Sequence, residues 1–211
     1  VLYKKALSET KPISANIVRS TCASISLIVW LAIIGKMGIL TNLPFYAVII
    51  AMVSGIIGLA FADTLYMMSL KLIGVARAVP ISFTYPLFSI LLAIFVQNEV
   101  VSVHVVLGAV AIVLGIWLLG WKEKTDGNAL QKHDLLKGVA SALANAIIWS
   151  VNLTLINVAV TLPETRDLDY ALGINTLRVL TAAIFLLASA PITDRKCTFL
   201  KIQRETLVAL I

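Results

Sequence analysis

An all-α, polytopic membrane helix bundle is the fold class this sequence predicts, and three observations predict it. Hydrophobic residues fill 60% of the 211 positions and charged residues only 13%, against roughly 45–50% and about 25% in soluble domains. The mean hydropathy is +0.97. Apolar runs of about 20 residues, the length a helix needs to cross a bilayer, recur along the whole chain. The connections between them hold nearly all the Lys and Arg.

The runs can be justified in order. Pro12 suits the first turn of a helix, where its missing N–H costs nothing, and opens a first span over residues 13–34. A second span begins near Phe45 and ends near Gly74. At 1.5 Å per residue it exceeds the bilayer core, so a tilt or a break is expected. Its Ser54, Gly55, Gly58 and Ala62 are small residues at a spacing that lets helices approach closely. A third span over 76–96 contains Pro80 and Pro86, which break it and leave carbonyls free for a substrate or a hinge. A fourth, 102–121, has Gly108, Ala111 and Gly115 as a small face and Trp117 and Trp121 toward one interface. After the polar stretch KEKTDGNALQKHD come a fifth span, 135–158, and a sixth, 168–189. The polar run DRKCTFLKIQRE follows, and the final RETLVALI reads as a span just starting.

Charge separates the connections into two sets. When the sides are alternated, thirteen of the 17 Lys and Arg fall on one side, and only Lys36 and Arg166 on the other. The rich side is the cytoplasmic one by the positive-inside rule. The formal charge of +6 is therefore topological, and no nucleic-acid partner is expected. Cys22 and Cys197 stand alone, with neither metal-ligand nor redox spacing. No cofactor or metal is implied.

Two segments resemble each other. Leu-x-Glu-Thr-basic occurs at 7–11 and again at 162–166, and Asn-x-x-Arg at Asn16/Arg19 and again at Asn175/Arg178. Both copies lead into a span. Counting spans around them gives a five-helix unit, and an odd number of spans places two copies in opposite orientations, as in secondary transporters. The expected organisation is a first repeat over 1–121 lacking most of its first helix, a polar linker 122–134, and a second repeat over 135–211 truncated after two helices.

With Asp63-Thr64-Leu65-Tyr66 running into Ala76-Arg77-Ala78, then Pro80, Tyr85-Pro86 and Glu99 before a Gly108-containing span, the chain resembles the drug/metabolite transporter superfamily in its EamA-like, ten-span branch. Gly138, the Trp149 span and the Asn-x-x-Arg span extend the likeness to essentially the whole chain. The resemblance implies inverted five-helix repeats around a central cavity, moving small metabolites by alternating access, often outward. It also implies cytoplasmic termini, which would put the linker outside, opposite to the charge count.

Charge inside an apolar span costs several kcal/mol and is normally kept for function. Asp63 is either a proton or cation site or a structural acid paired with Arg77 or Lys71. Arg19 and Arg178 either attract anionic substrate groups or neutralise an acid, with snorkelling to headgroups harder for Arg178, deeper in its span. Asn145, Trp149 and Asn152 form a polar-aromatic stripe on the fifth span, for helix contacts or for substrate. Tyr66 and Tyr85 line a cavity or belong to interfacial belts. The candidate pathway is thus Asp63, Tyr66, Pro80, Tyr85, Pro86, Asn145, Trp149, Asn152, Arg178 and Arg19.

These features favour a secondary transporter of small polar or amphipathic metabolites, such as amino acids, in the cell membrane. Protons or substrate exchange would drive it, because no nucleotide-binding loop is present. A nucleotide-sugar or sugar-phosphate exchanger is the nearest alternative but wants more cavity-facing bases. An intramembrane enzyme lacks its motifs, since there is no His-Glu-x-x-His and no serine elbow. A purely structural subunit would have little use for charges inside its spans. The expected partners are the bilayer, a small-molecule substrate and protons.

Overall fold

The protein is described by a computed structural model over residues 11–98, 100–122, 132–161 and 167–193. Helices account for nearly all of these residues, and there is no strand among them. Helix α1 is Pro12–Ile33, with Pro12 in its first turn, and a 3-10 turn at Met37–Leu40 follows. Helix α2 runs without a break over Phe45–Ile73. Its centre, Gly55–Ala62, is wound as a π-helix between two α-helical halves. The expected break is absent, and a π-helical stretch inside an α-helix frequently lies at a functional site.

The third span is discontinuous at Pro86, whereas Pro80, also expected to break it, lies inside an unbroken helix. Helix α3 is Val75–Ser82 and helix α4 is Tyr85–Gln97. Pro86 has no N–H to return to the carbonyl of Ser82, and its ring excludes the straight path. The chain therefore turns at Phe83-Thr84, and the Phe83 and Thr84 amides bond back to Val79 and Ile81. Gly74, at φ +78, supplies the reversal between α2 and α3 that a side chain would resist. Helix α4 ends on Asn98 in the left-handed region, which Asn tolerates. Helices α5 (Val103–Lys122), α6 (Lys132–Thr161) and α7 (Leu168–Thr193) complete the bundle. Helix α6 begins three residues before the expected start and continues three beyond the expected end. Residues 123–131 of the linker and the terminal RETLVALI lie outside the described residues.

Five helical spans are long and apolar enough to cross a membrane, with α3 and α4 counted as one, and α5 carries a shorter apolar helix. Helix α6 packs against α2, α3 and α4, while α7 packs against α1 and the π-helical stretch. One core cluster joins Ile17 of α1 to Ala182, Leu186 and Ala190 of α7. At the opposite end Lys36, just past α1, pairs with Asp169 at the start of α7. The start of one helix meets the end of the other at both ends, so α1 and α7 run antiparallel. That is the opposed orientation expected for two copies of one Asn-x-x-Arg helix.

The small residues of α2 act as expected. A side chain at Gly55 would strike the backbone of Arg178, and one at Gly58 would strike Asn152. The small face expected on α5 does not behave this way. Nothing lies within contact distance of Gly108 or Gly115, and most of α5's large apolar side chains are exposed. Apolar side chains at that surface are at home in lipid, which offers no hydrophobic drive to bury them.

Candidate functional site

Three helices converge on the acid inside α2. Asp63 is 5% exposed and sits at the junction where the π-helical stretch returns to α-helix. Its Oδ2 accepts from Arg19 Nη2 of α1 in an ion pair. Its Oδ1 accepts from Trp149 Nε1 of α6 at 3.0 Å. Both oxygens are therefore engaged, each from a different helix. The structure corrects the pairing with Arg77 or Lys71 considered from sequence. Lys71 lies eight residues along the same helix, about 12 Å of axial rise, whereas Arg19 faces Asp63 directly.

Arg19 is held in turn by Asn16 one turn earlier, whose Oδ1 accepts from Nη2 at 3.3 Å. Asn16 Nδ2 donates to the carbonyls of Leu59 (2.9 Å) and Ala60 (3.2 Å) and to Thr64 Oγ1 (3.0 Å). It thus ties α1 to the π-helical stretch. The second copy repeats the local motif, since Arg178 Nη1 donates to Asn175 Oδ1 at 3.2 Å. Its outer partners differ. Arg178 is 7% exposed and donates through Nε to Ser54 Oγ at 2.7 Å. The Asn152 amide, oriented to satisfy both its ends, accepts from Arg178 Nη2 at 3.2 Å and donates to Ser54. A buried guanidinium here is satisfied by neutral acceptors rather than by a carboxylate of its own.

A cavity of about 450 Å³ opens beside Asp63. Of the candidate residues, Asp63, Arg19, Tyr66, Tyr85, Asn145 and Trp149 line it. Arg178 and Asn152 stand outside the lining, in the packing between α2, α6 and α7. Pro80 is buried in α3, and Pro86 shapes the break without lining the space. Sequence reasoning passed over Ser82 and Phe83, which the break delivers to the cavity, and Ser20, Leu59 and Val179. The only advance signal for Ser82 and Phe83 was their position between the two prolines. Aromatic rings form a continuous wall, with centroid distances of 6.4 Å for Tyr66–Phe83, 6.0 Å for Phe83–Tyr85 and 6.5 Å for Tyr85–Trp149.

A bundle of apolar spans around a cavity with a charged pair at its wall defines an integral membrane protein with charged groups inside its spans. The family model of the EamA-like transporter family matches residues 1–121. The chain belongs to that family of membrane transporters, in keeping with its resemblance to the drug/metabolite transporter superfamily. No curated protein and no solved structure matches it.

Proposed function

We propose that this protein is a secondary transporter of small polar or amphipathic metabolites, amino acids or related compounds, working by alternating access in the cell membrane. Export, coupled to protons or run as exchange, is the mode this reading favours. The second repeat beginning near residue 135 is part of the same reading. The observation that carries it is the Arg19–Asp63 pair on the wall of an aromatic-lined cavity. An ion pair that served packing alone would have no need of open space beside it.

The pair gives a simple exchange chemistry. A substrate carboxylate and the Asp63 carboxylate compete for one guanidinium, Arg19. When the substrate takes it, Asp63 keeps only the Trp149 N–H, and a lone buried carboxylate is costly. Charge balance is restored by the substrate's own ammonium on Asp63, and Arg19 returns to Asp63 when the substrate leaves; a substrate without an ammonium needs a proton on Asp63 instead. The sugar-phosphate alternative draws less support, because Arg178 is turned toward Ser54 and Asn152 and leaves Arg19 as the cavity's guanidinium.

The test is transport in liposomes. The purified protein, reconstituted with and without a pH gradient, would be screened with amino-acid and nucleotide-sugar pools beside Asp63→Asn. Gradient-driven movement of an amino-acid pool that the variant loses supports the reading. With folded protein confirmed, no movement of any pool sinks it.

A further inference from the structure

Ser82 and Asn145 are buried polar residues of the cavity with unmet hydrogen-bonding capacity. Ser82 is 1% exposed and Asn145 3% exposed, and both line the cavity. Neither Ser82 Oγ nor Asn145 Oδ1 has a hydrogen-bond partner among the described residues. Helical hydroxyls elsewhere in this bundle avoid that cost by bonding back one turn. Ser150 does so to Ala146, Thr154 to Ser150, Thr176 to Leu172 and Thr181 to Leu177. Ser89, on α4, also lacks a partner but is not part of the cavity lining. A native fold pairs most of its buried polar atoms, so two orphans in one cavity call for a cause.

We infer that Ser82 and Asn145 form a second polar subsite, which takes a hydrogen-bond-donating hydroxyl or N–H of the substrate at a point apart from the Arg19–Asp63 pair. Asn145 Oδ1 can only accept, and Ser82 Oγ can both accept and donate. A ligand hydroxyl or N–H can donate to Asn145 Oδ1, and a ligand hydroxyl can donate to or accept from Ser82 Oγ. A carboxylate would face the amide oxygen with no proton to offer. Position supports the division of labour. Asn145 lies one turn before Trp149 on the same face of α6, about 6 Å along the axis, and Trp149 holds Asp63. Phe83, Tyr85 and Trp149 form an aromatic wall along the same cavity. The substrate class is therefore a carboxylate with a flat apolar body and a donor at its far end. The inference rests on the transport reading only in taking this cavity as the substrate site.

The matched probes are hydrocinnamate and its para-hydroxy derivative, phloretate, which differ by one hydroxyl. Binding to the purified protein in detergent would be measured by calorimetry for wild type, Ser82→Ala and Asn145→Leu. Wild type is expected to bind phloretate about five- to tenfold more tightly than hydrocinnamate, the factor of one net hydrogen bond. Each variant should lose that preference through weaker phloretate binding while hydrocinnamate is unaffected. The thermal midpoint of Ser82→Ala should hold or rise, because an unpaired buried polar atom has been removed; a structural serine would give a fall. Equal affinity of wild type for both probes, or variants that weaken both alike, overturns the subsite and leaves the transport reading standing. Failure of wild type to bind either probe overturns the subsite together with the carboxylate chemistry proposed for Arg19. Probe binding with the expected preference, in a protein that moves nothing across liposomes, supports the subsite and removes only transport.

Discussion

Trp149 donates its indole N–H to Asp63 Oδ1 from 86 positions away in the chain, while Arg19 pairs with the other carboxylate oxygen. In the exchange proposed above, the indole would keep one carboxylate oxygen fixed while a substrate takes Arg19 from the other. Trp149→Phe would keep a ring beside Tyr85 and remove only that N–H. A hydrogen bond to a charged group contributes about 1.5–3 kcal/mol, so substrate exchange in counterflow should slow by at least about tenfold. Thermal stability should fall less than in Trp149→Ala, which also opens the aromatic wall. Unchanged counterflow in Trp149→Phe would show that the indole only packs.

Gly55 and Gly108 should respond in opposite directions to the same substitution. In Gly55→Ala the new methyl meets the backbone of Arg178, which cannot rotate away, and overpacking of this kind costs about 1–3 kcal/mol. In Gly108→Ala the methyl enters open space, and the helix gains about 0.5–1 kcal/mol of propensity. Thermal denaturation in detergent should therefore rank Gly55→Ala below wild type and Gly108→Ala at or above it. A reversed order would mean that α5 packs where the structure leaves it open.

Arg178 is predicted to be a structural base and Arg19 a ligand-facing one, although they occupy equivalent places in the two Asn-x-x-Arg copies. Arg178→Lys loses the planar fork that reaches Ser54, Asn175 and Asn152 together, so its main effect should be a lowered thermal midpoint. Arg19→Lys keeps a cation beside Asp63 and should chiefly raise the KM for transport. The comparison is made by measuring both quantities on both variants. A KM rise confined to Arg178→Lys would reverse the assignment.

The spans were legible because apolar runs of bilayer length leave few other readings. Pro86 announced the break in the third span, and the repeated Asn-x-x-Arg announced the antiparallel α1–α7 pair. Partner choice was less legible. Arg77 and Lys71 are near Asp63 in sequence, but distance along a helix grows with every residue, while Arg19 reaches across from an antiparallel neighbour. The π winding of Gly55–Ala62 leaves no mark on hydrophobic period. Ser82 and Phe83 gain their importance only from the bend that exposes them to the cavity. The small residues of α5 look the same in sequence as those of α2. Only the packed structure shows that one set meets a helix and the other does not.

A second ion pair, Lys36–Asp169, joins the end of α1 to the start of α7 with side chains 43% and 33% exposed. At that exposure a pair contributes about 0.2–1 kcal/mol at most and is screened by salt, so the fold does not depend on it. Its place at one end of the antiparallel pair would give it a different use in the alternating-access cycle proposed above, in which rocking of the two proposed repeats would separate or slide these ends. Lys36→Asp and Asp169→Lys singly place like charges together, and the double exchange restores opposite ones. Thermal midpoints should barely change across the set. Transport rate at low salt should shift in each single variant, return toward wild type in the double variant, and converge for all of them at high salt. Rates that ignore both charge and salt would mean that these two ends stay together throughout the cycle.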